Sequence, residues 1–130
     1  TYDASTGILT VSGSNITNNG VIDVSKLTLT GEGGSTYTLT SANVNASGST
    51  GFSVTLNTTD RNAVQLFLNK AGTSSTSGTS YNLAAADDWD SAVTAGNTAD
   101  LTGNGVTVDG RHHAAGATCT RYVMPSRGRP

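Results

Sequence analysis

The stretch from Asp23 to Thr40 constrains the fold more than any other, because its apolar residues stand at alternate positions on both sides of a glycine-rich turn. Alternation with a period of two, broken by glycines, is typical of a β-hairpin that buries one face. We therefore expect two antiparallel strands, with Lys26 and the turn residue Glu32 directed to water. The side chains expected on the buried face are Leu27, Leu29, Tyr37 and Leu39.

Shorter segments with the same alternation continue along the chain, separated by turns that contain glycine. In residues 52–56 this pattern places Phe52, Val54 and Leu56 in the core. The chain has 22 Thr, 15 Ser and 11 Asn residues, but its alternating apolar residues can form a buried face, which argues against disorder. Residues 1–7 are expected to lie at a sheet edge. Further strands are expected within residues 8–13, 21–24, 41–45, 81–83 and 106–108.

One segment breaks the β pattern and predicts a short helix over residues 59–71. Thr59 is its expected N-cap, and Asp60 falls in its first turn, where a negative charge suits the helix dipole. Lys70 falls in the last turn, and Gly72 can supply a left-handed stop. The apolar side expected to pack against a sheet consists of Ala63, Val64, Phe67 and Leu68.

The composition changes abruptly after Gly110. Residues 1–110 carry all nine acidic residues and only three basic ones, whereas residues 111–130 carry four arginines and no acid. We expect residues 1–110 to form one domain and residues 111–130 to be a non-native extension or a disordered linker. An acidic body argues against a nucleic-acid partner, since phosphate binding needs a basic surface. No apolar run is long enough for membrane insertion.

Five segments of the first 109 residues follow one another in a characteristic order: TYDASTGILTVSG (1–13), DVSKLTLTG (23–31), LNK (68–70), YNLAAADDW (81–89) and ADLTGNGVTV (99–108). Together they resemble a tandem repeat of very large bacterial secreted or surface-anchored proteins of the adhesin and biofilm-associated type. At Arg111 the chain departs from the pattern, because a tandem array would lead into another start like residues 1–3.

The resemblance implies an all-β fold, an immunoglobulin-like antiparallel β-sandwich, cut from a longer array. It implies an extracellular location on the bacterial cell surface and a role as a structural or adhesive module. The implied partners are neighbouring repeats and a surface polysaccharide or protein. No catalytic residue comes with the resemblance, so we expect no catalysis and no cofactor other than calcium.

Two alternatives remain open. Residues 13–23 are similar to a coil of filamentous-haemagglutinin-type β-solenoids, although only one coil is visible and solenoids stack several. A small hydrolase of glycosidase or esterase type would need two carboxylates across a cleft, or a nucleophile with its base. The histidines and the cysteine that such a nucleophilic site would use, His112, His113 and Cys119, all lie in the atypical tail.

Four aspartates near one another in sequence form a candidate calcium site. Their carboxylates are the hard oxygen ligands that Ca²⁺ prefers, although their spacing is not that of an EF-hand loop. The alternative is a solvated acidic loop that caps the sandwich. Residues 84–90 are also expected to form a short helical turn that places Trp89 over one end of the core. The candidate ligands are Asp87, Asp88, Asp90 and Asp100.

Overall fold

The computed structural model describes residues 1–93 and 95–111. Within these residues the chain forms nine short strands and one short α-helix, so the expectation of a β-rich fold with one short helix is confirmed. Apart from Arg111, the expected tail lies outside the described residues. The elements in chain order are β1 (Tyr2–Asp3), β2 (Ile8–Ser12), β3 (Val21–Ile22), β4 (Leu27–Thr30), β5 (Thr36–Thr38), β6 (Val44–Asn45), β7 (Gly51–Thr55), α1 (Thr58–Val64), β8 (Asn82–Ala85) and β9 (Val108–Asp109).

The largest sheet has the strand order β7-β2-β1-β9. Strands β2 and β7 are antiparallel, with Leu9 opposite Val54. Strand β1 is antiparallel to β2 on one side and parallel to β9 on the other, with Tyr2 opposite Val108. The expectation that the first residues lie at a sheet edge is therefore wrong, because β9 returns from the far end of the chain to cover that edge.

The hairpin expected between Asp23 and Thr40 is present as β4 and β5, and β8 pairs with the other side of β4. A short 3₁₀ turn over Glu32–Gly34 connects the two hairpin strands. Leu27, Leu29 and Leu39 are buried as expected. Tyr37 is only half-buried, because its ring lies at the margin of the core and its hydroxyl reaches a polar partner.

The buried apolar side chains from all three sheets and the helix form one cluster. Phe52, Val54 and Leu56 belong to it, as the alternation in β7 predicted. Trp89 packs against the cluster with its ring centroid 6.1 Å from that of Phe52, which confirms its expected place over the core. The residues before Trp89 do not form the expected helical turn. Ala84 and Ala85 pair with β4 instead, because strand pairing overrides the helix propensity of alanine.

The helix is shorter than residues 59–71 and starts earlier. Its N-cap is Asn57, whose Oδ1 accepts a hydrogen bond from the Asp60 N–H at 2.7 Å, so the assignment of Thr59 as N-cap is wrong. Regular helix ends at Val64, because the N–H groups of Leu66 and Phe67 bond to the carbonyls of Ala63 and Val64, three residues back, in a tighter turn. Lys70 and Gly72 therefore lie beyond the helix, while Phe67 is still buried.

We predict that Gly31→Ala destabilises the fold, because the backbone of Gly31 approaches Phe67 too closely for a side chain. An added Cβ would contact the Phe67 carbonyl oxygen and lie 2.6 Å from Phe67 Cδ2. Overpacking of this kind costs about 1–3 kcal/mol of the free energy of unfolding, which urea denaturation measures. Gly105→Ala is the control, because its Cβ would have no neighbour within 4 Å; equal losses in both variants would contradict the prediction.

Candidate functional site

The four aspartates proposed as calcium ligands lie on loops that follow β8. Asp87 and Asp88 form the turn directly after the strand, and Asp88 has a positive φ of 66°. Asp90 forms an isolated β-bridge with Ile22, and Asp100 forms one with Ala85. The loop thus returns to β8, and Asp100 pairs with Ala85, the last residue of that strand.

Three of these carboxylates accept hydrogen bonds from nearby loop groups. Asp87 Oδ1 accepts the Thr98 N–H at 2.8 Å and the Asp88 N–H at 3.0 Å, and the Thr98 contact is the main cause that lowers the pKa of Asp87. Asp90 is buried, and its Oδ2 accepts the Thr17 N–H at 3.0 Å. Asp100 Oδ1 accepts from the Asn104 amide at 3.0 Å. These carboxylates hold loops in place.

Within the part of the chain that the structure describes, no three His, Cys, Asp or Glu residues lie close enough together to hold one metal ion. Asp88 Oδ1 is buried there without a hydrogen-bond partner, but its carboxylate is not joined by two others. The calcium site therefore stays a prediction. A calcium titration followed by thermal unfolding tests it, because an ion that binds the folded state raises the Tm.

A cleft of about 580 Å³ opens beside Trp89, between β2 and the segment that precedes β9. Its floor consists of core side chains such as Leu9 and Phe52, and Asp100 is the acidic residue in its lining. Glycoside hydrolysis by two carboxyl groups would need a second one across the cleft. The Trp89 ring is held by Phe52 and by an Nε1–H bond to the Thr98 carbonyl at 2.9 Å, which makes it a packing residue.

The hydrolase alternative also relied on residues of the tail. His112, His113 and Cys119 lie outside the described residues, so the structure does not place them relative to a carboxylate.

The most densely bonded side chain that sequence reasoning missed is Asp60. It is completely buried, although it is a carboxylate in the first turn of α1. Its oxygens accept bonds from the Tyr37 hydroxyl at 2.8 Å, from the Thr40 hydroxyl at 2.7 Å and from the Ser41 hydroxyl at 2.6 Å. The main-chain N–H groups of Thr40 and Ser41 donate to it as well, at 2.9 and 2.8 Å. We call Asp60 and these three donor residues the Asp60 cluster.

The Asp60 cluster stabilises a buried negative charge with neutral donors alone. Burial by itself raises the pKa of Asp60, but the hydrogen bonds from Ser41, Thr40 and Tyr37 outweigh it and leave the pKa below its ordinary value. The bond to this carboxylate is also the main cause that raises the pKa of Tyr37. A carboxylate that accepts this many bonds is a weak base, so the cluster is suited to joining segments rather than to proton transfer.

Glu32 was expected to face water, and this expectation is wrong. The side chain is half-buried, and its Oε1 accepts from Asn69 Nδ2 at 3.0 Å, the Thr76 hydroxyl at 2.8 Å and the Ser77 N–H at 3.1 Å. These bonds, led by that from Asn69, lower the pKa of Glu32 to about 2. Thr76 and Ser77, in the loop before β8, are therefore fastened to the hairpin turn.

A second cleft, of about 420 Å³, lies between β1, α1 and the end of β9. Arg61 and Arg111 both line it, and the residues around them are neutral. Their guanidinium groups bond to main-chain carbonyls, that of Ala4 at 3.5 Å and that of Gln65 at 3.4 Å. We call this the arginine cleft; sequence reasoning missed it because its two arginines are far apart in the chain.

No family model, no curated protein and no solved structure matches this chain. Among the described residues, no helix has the length and apolar character needed to cross a membrane.

We predict that Asp60→Asn destabilises the fold more than any other single removal of a carboxylate charge. The amide would place a donor against the donors of Thr40 and Ser41 and would weaken the remaining bonds. The expected loss is about 2–4 kcal/mol in the free energy of unfolding, measured by urea denaturation at neutral pH. Asp109→Asn is the matched control, because Asp109 is exposed; a loss no larger than in this control would contradict a stabilising role for the cluster.

The lowered pKa of Glu32 predicts a pH-dependent contribution to stability. Because the folded-state pKa of about 2 lies below the ordinary value of 4.5, the contribution is complete above pH 4.5 and is lost as the pH falls towards 2. Glu32→Gln should therefore flatten the fall in stability over this range, as urea midpoints at stepped pH values would show. Asp109→Asn again serves as the control, and a Glu32→Gln profile parallel to that of the unaltered protein would refute the assignment.

Proposed function

We propose that this chain is a structural or adhesive module of a large bacterial cell-surface or secreted protein, folded as an immunoglobulin-like β-sandwich. Support for the sandwich comes from the two larger sheets, β7-β2-β1-β9 and β5-β4-β8, whose buried faces contribute to one core cluster. The two sheets are built mainly from antiparallel pairs, as in sandwiches of this class.

Tyr81 adds a second observation in favour of this fold. It is buried directly before β8, and its hydroxyl donates to the Lys70 carbonyl at 2.7 Å while accepting the Lys70 N–H at 3.0 Å. This arrangement resembles the tyrosine corner of immunoglobulin-like sandwiches, in which a tyrosine near the start of a strand bonds to backbone a few residues upstream, although here the bond spans 11 residues. The stretch that is similar to a solenoid coil, residues 13–23, contains β3. This strand pairs antiparallel with β6.

The observation that carries the proposed role is the parallel pairing of β1 with β9. Because Tyr2 lies opposite Val108 and Asp3 opposite Asp109, the chain runs in the same direction where it enters and where it leaves the sheet. A following copy would therefore continue along the line of the first instead of folding back beside it. This geometry supports the role of a spacer whose partners are neighbouring repeats. The proposal includes the extracellular location that the sequence resemblance implies.

Adhesion to a surface polysaccharide or protein belongs to the same proposal. Exposed strands with hydroxyl-rich outer faces, such as β5 with Thr36 and Thr38, offer polar surface to a partner. Among the described residues, the buried carboxylate of Asp60 gives the hydrolase alternative no support, because it is saturated with donors.

We predict that two copies of residues 1–110 joined head to tail form an elongated particle. Small-angle X-ray scattering should give a maximum dimension nearly twice that of one copy, because the terminal strands direct the second copy along the same line. A single copy is the control. A dimension close to that of the single copy would contradict the proposed array, and an experimental structure of one copy without two facing sheets would refute the sandwich.

A further inference from the structure

Both arginines of the described residues line the same cleft, although the domain around them is acidic. Residues 1–110 carry nine acidic and three basic side chains. Arg61 comes from α1, and Arg111 follows β9 directly. The other lining residues are neutral, which leaves a local concentration of positive charge. A positive cleft on an acidic body attracts anions to one place on the surface.

Arg61 is held in position before any ligand arrives. Its side chain lies over Gly7, where an added Cβ would be 2.6 Å from Arg61 Cδ and Nε. Its Nη2 also lies 3.5 Å from the Ala4 carbonyl, which is a long hydrogen bond that leaves other donors of the planar group available. A guanidinium fixed in this way loses little conformational entropy on binding, which favours affinity.

Tyr2 lies in the same cleft as the two arginines. It is 3% exposed and lines the cleft. Burial raises the pKa of its phenol, while Arg61 and then Arg111 oppose that rise, so both guanidinium groups act on one hydroxyl. Asp3, Asp60 and Asp109 are the sequence neighbours of the lining residues Tyr2, Arg61 and Gly110, but none of the three lines the cleft. Asp60 accepts the bonds of its own cluster, and Asp3 Oδ1 accepts from the N–H and hydroxyl of Ser5.

The wall opposite Tyr2 is polar and comes from one face of α1. Thr58, Asn62 and Gln65 are spaced by four and three residues, so they lie along the same side of the helix and its C-cap. Their hydroxyl and amide groups both donate and accept hydrogen bonds. Such a wall suits the hydroxyls of a sugar ring, and a volume of about 420 Å³ accommodates one such ring.

We propose that the arginine cleft binds a uronate residue of an acidic polysaccharide, with Arg61 and Arg111 on its carboxylate and Thr58, Asn62 and Gln65 on its hydroxyls. Arginine suits this task because its planar fork matches a carboxylate with two parallel bonds. The site stands on the geometry of a single domain and does not require the tandem array. It deepens the adhesive part of the proposed function, so absence of glucuronate binding would count against that part, while the scattering of two joined copies tests the array separately.

The test is a titration of the full chain with sodium glucuronate, followed by NMR of the backbone amides of α1. Glucuronate should shift the amides around Arg61 and Gln65, and neutral glucose should bind at least about tenfold more weakly, because it lacks the charge-assisted bonds. Acetate and inorganic phosphate should also bind more weakly, since they cannot contact the polar wall. Binding of acetate as tight as that of glucuronate would overturn the saccharide assignment.

Variants locate the site. Arg111→Gln and Arg61→Gln should each weaken glucuronate binding by about tenfold or more, while Lys70→Gln, which removes the same charge outside the cleft, should leave it unchanged. Arg111→Gln is expected to leave the fold intact, because Arg111 bonds only to the Gln65 carbonyl within the described residues. A loss of affinity in this variant would therefore not reflect unfolding. Unchanged affinity in Arg111→Gln and Arg61→Gln, or no binding of glucuronate at millimolar concentrations, would overturn the proposal.

Discussion

The buried carboxylate of Asp60 joins two parts of the fold that are distant in sequence, the end of the hairpin and α1. The end of the hairpin supplies the donors Tyr37, Thr40 and Ser41, and α1 supplies the acceptor. A buried charge without donors would be strongly destabilising, so the hairpin and helix are stable in this arrangement only together. Ser41 extends the connection, because its hydroxyl also accepts the Asn57 N–H at 2.9 Å, directly before the helix.

The same solution recurs in a domain rich in short polar residues. Glu32 fastens residues 76 and 77 to the hairpin turn, and the buried Asp90 accepts the Thr17 N–H. In each case a carboxylate satisfies loop N–H or hydroxyl groups that strands cannot pair. The excess of acidic residues in the domain is therefore partly a source of hydrogen-bond acceptors, and it explains why a thin core can hold long loops. Burial of Leu27, Leu29 and their neighbours stabilises the fold, and the hydrogen bonds to these carboxylates fix the positions of the loops.

Local patterns predicted the strands and their buried faces, because the side-chain period of a strand is a property of neighbouring residues. Leu29 and Val54 were assigned to the core in this way, and both are buried. Contacts between distant residues were not predictable: Thr40 and Asp60 are 20 residues apart, and Thr76 and Glu32 are 44 apart. Phe67, which the sequence placed within the helix, likewise lies beyond its end, and its carbonyl accepts the N–H of the distant Glu32.

The parallel register of β1 and β9 has a mechanical consequence. If a chain of such modules is pulled from its two ends, β1 is drawn back towards its start while β9 is drawn forward towards its end. The two strands then slide along each other, so that the hydrogen bonds from the Tyr2 N–H to the Thr107 carbonyl and from the Ala4 N–H to the Asp109 carbonyl are loaded together instead of one after another. Resistance to force is governed by the rate of unfolding, so these few bonds between the terminal strands set how long a module under tension keeps its shape.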